Sequence, residues 1–267
     1  MVKLSIGTAG FSYNDWIGPF YSKKLEKTKF LEYFSKIFNL VEINSTFYSL
    51  PSESMVINWD NQVPENFRFI IKVWQKISHN LNDTELNSFI DEFFSRLSKL
   101  ENKIDSFLIQ FPPWFRYSEN HLLKLELLLK NVPSKYKYII ELRDNSWFEF
   151  EILSKFIDGE NVVLGTTYMP GIIPYYMLNQ RKYYIRLIGD RDLNKFNRIQ
   201  REQNDAIRDL SGNVEELMKK SNIYEIFIIV NNHFQGFAPE SVNMLKKKFG
   251  LLYHSFSNQT HLSDFLS

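Results

Sequence analysis

Eight short apolar runs rich in β-branched residues, separated by longer segments of helical period, restrict this chain more than any other feature. They cover residues 3–7, 40–44, 68–74, 106–110, 137–141, 161–165, 183–187 and 225–231. Their starts lie about thirty residues apart on average, which is one strand, one helix and two short connections. The alternation is the pattern of a parallel sheet wrapped by helices. Eight such units in about 250 residues are the arithmetic of a (β/α)8 or TIM barrel. The expectation is therefore an α/β fold of eight parallel strands forming a single domain over residues 1–267, because no linker, composition break or low-complexity tract divides the chain.

Helices are predicted over 28–38, 52–61, 83–100, 118–130, 146–156, 194–220 and 239–249. Asp83 and Ser118 suit N-caps, and Pro239 suits a first helical turn. The sixth βα unit is the misfit, since Pro170, Gly171 and Pro174 leave residues 166–182 only a short or irregular helix. A doubly wound sheet is the rival, through Gly7-Thr8-Ala9-Gly10 after the first strand. Its third glycine position falls on Tyr13, however, and Glu42 lies too far on to bind a ribose, so a tight glycine turn is the better reading.

A net charge of +1 excludes a generally polybasic nucleic-acid binder, though not a local basic patch. With Cys 0, disulfides, thiolate catalysis, cysteine-ligated zinc and protein-bound iron–sulfur clusters are excluded. The first apolar run is too short for a signal peptide, and no stretch approaches about 18 uninterrupted apolar residues. A soluble cytoplasmic protein without a membrane partner is expected. Aromatic content reaches 16%, with Phe 24 and Tyr 14 against three alanines, a bias that A·T-rich codons would produce, so single aromatics carry little functional weight.

Side chains alternate along a strand, so polar residues of one parity at the carboxyl ends can converge on a common mouth. Thr8 follows Leu4 and Ile6, Asn44 follows Glu42, Lys72 follows Ile70, and Gln110 follows Leu108. Glu141 and Arg143 share a face with Ile139, Arg186 follows Tyr184, and Asn231 follows Phe227 and Ile229. Strand ends also lead into polar loops, which explains Thr8, Asn44 or Gln110 singly. Charges this close to a core need partners, and a ligand site or mutual pairing supplies them.

At these positions the chain resembles the YecE-like family, domain of unknown function 72. The resemblance rests on Gly7-Thr8-Ala9-Gly10-Phe11 with Tyr13 and Trp16, then on Val41-Glu42-Ile43-Asn44-Ser45-Thr46-Phe47-Tyr48. Lys72, Ile77-Ser78-His79, Gln110-Phe111-Pro112-Pro113, Glu141-Leu142-Arg143, Tyr184-Ile185-Arg186 and Asn231-Asn232 extend it over nearly the whole chain. It implies a TIM barrel and no established activity. Phe11 stands where tryptophan is usual, Ile188 where a histidine is usual, and Thr166-Thr167-Tyr168 where an aspartate-containing stretch is usual. Altered or lost chemistry in this member would follow if those groups are catalytic elsewhere in the family.

The favoured reading is an enzyme that binds a small anionic (phosphate- or carboxylate-bearing) or sugar-like ligand at the C-terminal barrel face. Glu141 is assigned general acid/base, with Lys72 setting its charge state or assisting proton transfer. Arg143 and Arg186 would clamp the anion. Thr8, Tyr13, Asn44, Gln110, Asn231 and Asn232 complete the ligand-binding set, with Glu42, Trp16, His79 and His233 as further candidates. Glycines in the loops after strands seven and eight suggest a phosphate site there.

Tyr13, Trp16, Phe47, Tyr48, Trp74, Trp114 and Trp147 could rim the mouth with stacking planes, which keeps a non-catalytic nucleic-acid-binding or sensing module as the alternative. A glycosidase would have to use Glu42 and Glu141. No cofactor is assigned. Room is left for a single divalent metal on His79, His233 and Glu141, whereas His121, His254 and His261 lie away from strand ends.

Overall fold

A computed structural model describes residues 2–255. Its strands are β1 (Lys3–Ala9), β2 (Leu40–Ile43), β3 (Arg68–Lys72), β4 (Ile104–Gln110), β5 (Tyr138–Glu141), β6 (Val162–Tyr168), β7 (Lys182–Leu187) and β8 (Glu225–Val230). They pair in parallel in chain order, and β8 closes on β1. The TIM-barrel expectation holds. Among the described residues no helix is long and apolar enough to cross a membrane.

One parity of each strand feeds a small inner core, in which Leu40, Ile70, Leu108, Ile139, Val163 and Phe227 meet with Ala9, Tyr184 and Ile229. The other parity, including Val41, Phe69, Phe107, Ile140, Ile185 and Ile228, packs outward beneath the helices in the larger core. Each such buried aliphatic or aromatic side chain contributes about 1.5–3 kcal/mol. The inner core is closed at the N-terminal end by Lys182, which bonds Asp105 and Ser106 and lies 4.5 Å from the Phe227 ring. Its other end is closed by the charged residues described below.

Several helices start where the sequence places them. Ser118 accepts from His121 N at 3.1 Å to cap the helix Glu119–Asn131, and Pro239 sits in the first turn of Ala238–Lys248. The helix expected over 194–220 begins only at Asn204. The preceding stretch is drawn over the mouth instead: Arg201 holds Asp190 and Asp192, and Phe196 N donates to Asp15. The segment expected over 146–156 is a 3-10 turn, Asn145–Trp147, and a short helix, Phe150–Leu153. Between β6 and β7 there is no helix, as the prolines require.

Gly7 lies inside β1 and not in a turn. A Cβ there would stand 2.3 Å from the Leu40 carbonyl oxygen, so the absent side chain lets β2 approach. The turn is made by Gly10, whose φ is +84°. Gly7→Ala is therefore expected to force β1 and β2 apart and lower stability by about 1–3 kcal/mol, read as a lower denaturant midpoint with an unchanged m-value.

Candidate functional site

The inward parity at the C-terminal ends delivers Glu42 from β2, Lys72 from β3, Gln110 from β4, Glu141 and Arg143 from β5 and Arg186 from β7. All six are buried. Arg186 spans the barrel axis: Nε and Nη2 donate to the two oxygens of Glu42 at 2.8 and 2.6 Å, and Nη1 donates to Glu141. Arg143 Nε donates to the other Glu141 oxygen. Glu42 also accepts from Asn44 at 2.8 Å and from the Tyr184 hydroxyl. Lys72, Glu141, Arg143 and Arg186 meet in one cluster with Glu42, while Asn231, expected at the same mouth, turns its side-chain oxygen to His233 N.

Several assigned roles change. Burial by itself would raise Glu141, yet Arg143, Arg186 and Lys72 outweigh it and hold the carboxyl at about 2. A carboxylate held in its charged form by two arginines is a weak proton acceptor near neutrality, which counts against the general acid/base role given to Glu141. Each nitrogen of Arg186 donates to a carboxylate of the chain itself, so the expected clamp is engaged by internal partners. Its guanidinium also fills the space between Glu42 and Glu141, which a glycosidase must leave to substrate.

The uncharged candidates are mostly committed to the chain itself. Thr8 is on the outward parity with Ile6, where its hydroxyl donates to Gly10 O at 2.7 Å; Ala9 takes the inward place on β1. Tyr13 donates to Ala9 O at 2.6 Å, and burial and Glu42 push its hydroxyl up to about 12. Asn231 accepts from His233 N, while Asn232 accepts from Trp16 Nε1 and Ala238 N. Gln110 accepts from Lys72 and donates to Phe111 O.

Of the rings expected to rim the mouth, Trp16, Phe47, Trp74 and Trp147 are buried and Tyr13 is half-buried, leaving Tyr48 and Trp114 exposed at 69% and 60%. Loops seven and eight pack on one another, for a Cβ on Gly189 would stand 2.4 Å from the His233 carbonyl oxygen, so Gly189 is required by that close approach. His79 pairs with Ser78 Oγ at 2.8 Å, and burial and Lys72 hold it down at about 4. Among the described residues no three His, Asp or Glu side chains are grouped to hold a metal, so His79, His233 and Glu141 do not form the set for which the sequence left room. His261 lies outside the described residues.

Buried side-chain atoms without a hydrogen-bond partner include Asn232 Nδ2 and His233 Nδ1 after β8 and one atom each on Arg143 and Thr167. Arg143, 6% exposed, turns Nη1 toward the Met169 thioether at 3.0 Å and leaves Nη2 without a hydrogen-bond partner. Thr167, 2% exposed, has the inward parity of Val163, and its Oγ1 has no partner either. Arg143 follows the end of β5, which pairs with β6 as far as Ile140 with Leu164, and its contact with Met169 places it on the same β6 side as Thr167. The sequence reading missed Thr167 and Met169, although the strand parity of Val163 and Gly165 already pointed Thr167 inward.

Lys72 is the third distinctive group. Its ammonium donates to Gln110 Oε1 at 3.0 Å and lies 3.8 Å from the Phe47 ring centroid. Burial, then Arg186 and Arg143, lower it to about 7 against the opposing pull of Glu141 and Glu42. Two cavities of about 470 and 320 Å3 are lined by none of the six cluster residues. Tyr13, Asn44 and Trp59 line the larger, and His79, Trp114 and His121 the smaller.

The family described as "Protein of unknown function DUF72" matches residues 5–263. The UPF0759 protein YecE of Escherichia coli K12 is 32% identical over 143 residues, 54% of this chain and 49% of that protein. The match thus spans about half the length of that relative. The UPF0759 protein YunF of Bacillus subtilis is 23% identical over 274 residues, 93% of this chain and 95% of that protein. A DUF72 family crystal structure from Thermotoga maritima MSB8 has a TM-score of 0.77 at 23% identity, covering 93% of this chain and 99% of that one. Another from Enterococcus faecalis V583 has a TM-score of 0.75 at 23% identity, covering 94% and 99%. These likenesses bear on the fold.

Two substitutions separate the satisfied network from the unsatisfied pair. Glu141→Gln strands the Arg143 and Arg186 charges and is expected to cost about 3–5 kcal/mol in denaturant titration. Because Glu141 is held below its ordinary value, its contribution is present above about pH 4.5 and fades as pH falls toward 2. Thr167→Val removes a buried hydroxyl without a partner and is expected to leave stability unchanged or raise it by up to about 1 kcal/mol.

Proposed function

The chain belongs to the DUF72 family, and from that membership, which carries a fold but no activity, we propose an enzyme that binds a small phosphate- or carboxylate-bearing ligand in the barrel mouth and exchanges protons with it through Lys72. The observation that carries this reading is the outer edge of Arg143, buried, with one nitrogen against a thioether and the other unpartnered. A guanidinium edge is shaped for two parallel bonds to an anion, and sulfur is a weak acceptor. An anion arriving from the β6 side would displace the Met169 side chain and add the Thr167 hydroxyl as a further donor.

The charge balance supports the same reading. Two carboxylates, Glu42 and Glu141, face three cations, Arg143, Arg186 and Lys72. With Lys72 protonated the cluster carries one positive charge in excess, and a bound anion cancels it. With Lys72 neutral the cluster balances by itself. A lysine lowered to about 7 by burial and its arginine neighbours can then give or take a proton at ordinary pH. The internal commitments of Glu42 and Glu141 leave Lys72 that role.

An anion near Lys72 stabilises its ammonium form, so binding takes up a proton. Affinity for inorganic phosphate or a small carboxylate is expected to be flat below about pH 7 and to fall above it, approaching about tenfold per pH unit. Arg186 and the Arg143–Glu141 pair, Glu42 and His79 are the charged and titratable groups facing Lys72, and none is placed to reverse that sign. Thermal unfolding checks this: at a hundred times the dissociation constant the anion adds about 2.7 kcal/mol, roughly 5–10 °C in Tm. Arg143→Met is expected to abolish the shift, and an undiminished shift in that variant would overturn the reading.

A further inference from the structure

The larger of the two cavities, about 470 Å3, has no part in the anion reading of Arg143, and three pieces of chain build it. The turn at Gly10 carries Phe11 and Tyr13 beyond β1, Ile43 and Asn44 come from the end of β2, and the helix Glu53–Gln62 supplies a further wall. On that helix Met55, Asn58, Trp59 and Gln62 stand at i, i+3, i+4 and i+7, so they share one face, and all four line the cavity. A face with that spacing ordinarily lies against apolar neighbours. Here Trp59 is buried, but Met55 is 46% exposed and the other two are amides.

The polar groups of this wall have bonding capacity to spare. Among the described residues Asn44 donates Nδ2 to Glu42 while its oxygen accepts nothing, Gln62 accepts from Glu32 N while its Nε2 donates nothing, and Asn58 has no side-chain hydrogen bond. No carboxylate among them lines the cavity, and its one cation, Lys27 in the turn Lys27–Lys29, forms no ion pair. We infer that the cavity takes a flat heteroaromatic acid, with the ring against Phe11, Met55 and Trp59, the heteroatoms of its edge bonded by Asn44, Asn58 and Gln62, and the acidic group at Lys27. A cavity of this size, apolar with a few convergent polar groups, suits a small ligand. Ring faces and a methionine sulfur favour an aromatic body. A saturated chain would cover the apolar part but offer nothing to the amides, whereas a heterocycle meets both. The unpaired cation and the lack of any carboxylate select an anion. No residue is shared with the proposed site at Arg143 and Lys72.

Isothermal titration calorimetry of the full chain with indole-3-acetate tests this, beside indole-3-acetamide, which lacks the charge, octanoate, which lacks the ring, and acetate, which lacks both ring and chain. Indole-3-acetate is expected to bind with a dissociation constant of about 1 mM or tighter. The amide should bind about three- to fivefold more weakly, the worth of one exposed ion pair, and octanoate about threefold or more below the indole acid. Acetate should show no binding in this cavity. Lys27→Gln is expected to erase the preference for acid over amide, and Asn58→Trp, which fills the cavity from an exposed helix position, to abolish binding of both. Backbone amide shifts in the wild-type chain should change at residues 10–13, 43–45 and 55–62. They decide the outcome if circular dichroism shows that Asn58→Trp has not folded. No binding, equal affinity for acid and amide or for octanoate, or shift changes confined to other residues overturns the inference. The response to inorganic phosphate belongs to Arg143 and is read separately, so failure of one site leaves the other standing.

Discussion

The bridge that Arg186 makes between Glu42 and Glu141 is the interaction on which the C-terminal half of the barrel depends. Its strand, β7, lies across the barrel from β2, so the guanidinium ties opposite walls together over an apolar plug. Removing these charges from water costs several kcal/mol per ion, and that cost is offset only when nearly every donor and lone pair is matched. The matching is nearly complete here. Asn44, Tyr184 and Arg143 supply the remaining bonds to the two carboxylates.

What the bridge leaves unmatched defines the candidate site. Glu141, shared between two arginines, turns Arg143 so that Nε faces inward and the opposite edge faces the irregular connection after β6. Lys72 is left as surplus charge in a buried place, which pushes its ammonium toward the neutral amine. Both properties thus have one origin. The strand-end carboxylates are occupied in holding the barrel end closed, which is why the proposed proton exchange is assigned to a lysine.

The loops around the mouth follow a second constraint, close backbone approach. Gly189 lets loop seven lie against loop eight, and Gly236 leaves room for Arg198 and Gln200. The buried Trp16 and Trp147 bond Asn232 and the Phe115 carbonyl, fastening loops to neighbours far along the chain. Rings that might have served ligands are thereby used to fix the rim, in keeping with the abundance of aromatics.

Period and parity are local properties, and they determined what they could reach. Eight apolar runs at a spacing of one βα unit specify a parallel barrel. Inward parity on β2, β3, β4, β5 and β7 was legible from Glu42, Lys72, Gln110, Glu141 and Arg186. On β1 it failed by one residue, because Gly7 and Ala9 are too small to announce the inward face and Thr8 drew the assignment to the other. The partner of each charge was not legible, since it depends on which side chains meet across a closed ring, between residues as distant as Glu42 and Arg186. Only the tertiary structure decided that Glu141 is a counterion, that all three nitrogens of Arg186 face carboxylates, and that atoms of Arg143 and Thr167 are left without partners. In a buried network the energy of each group is set by its neighbours in space, and the order of the chain does not record them.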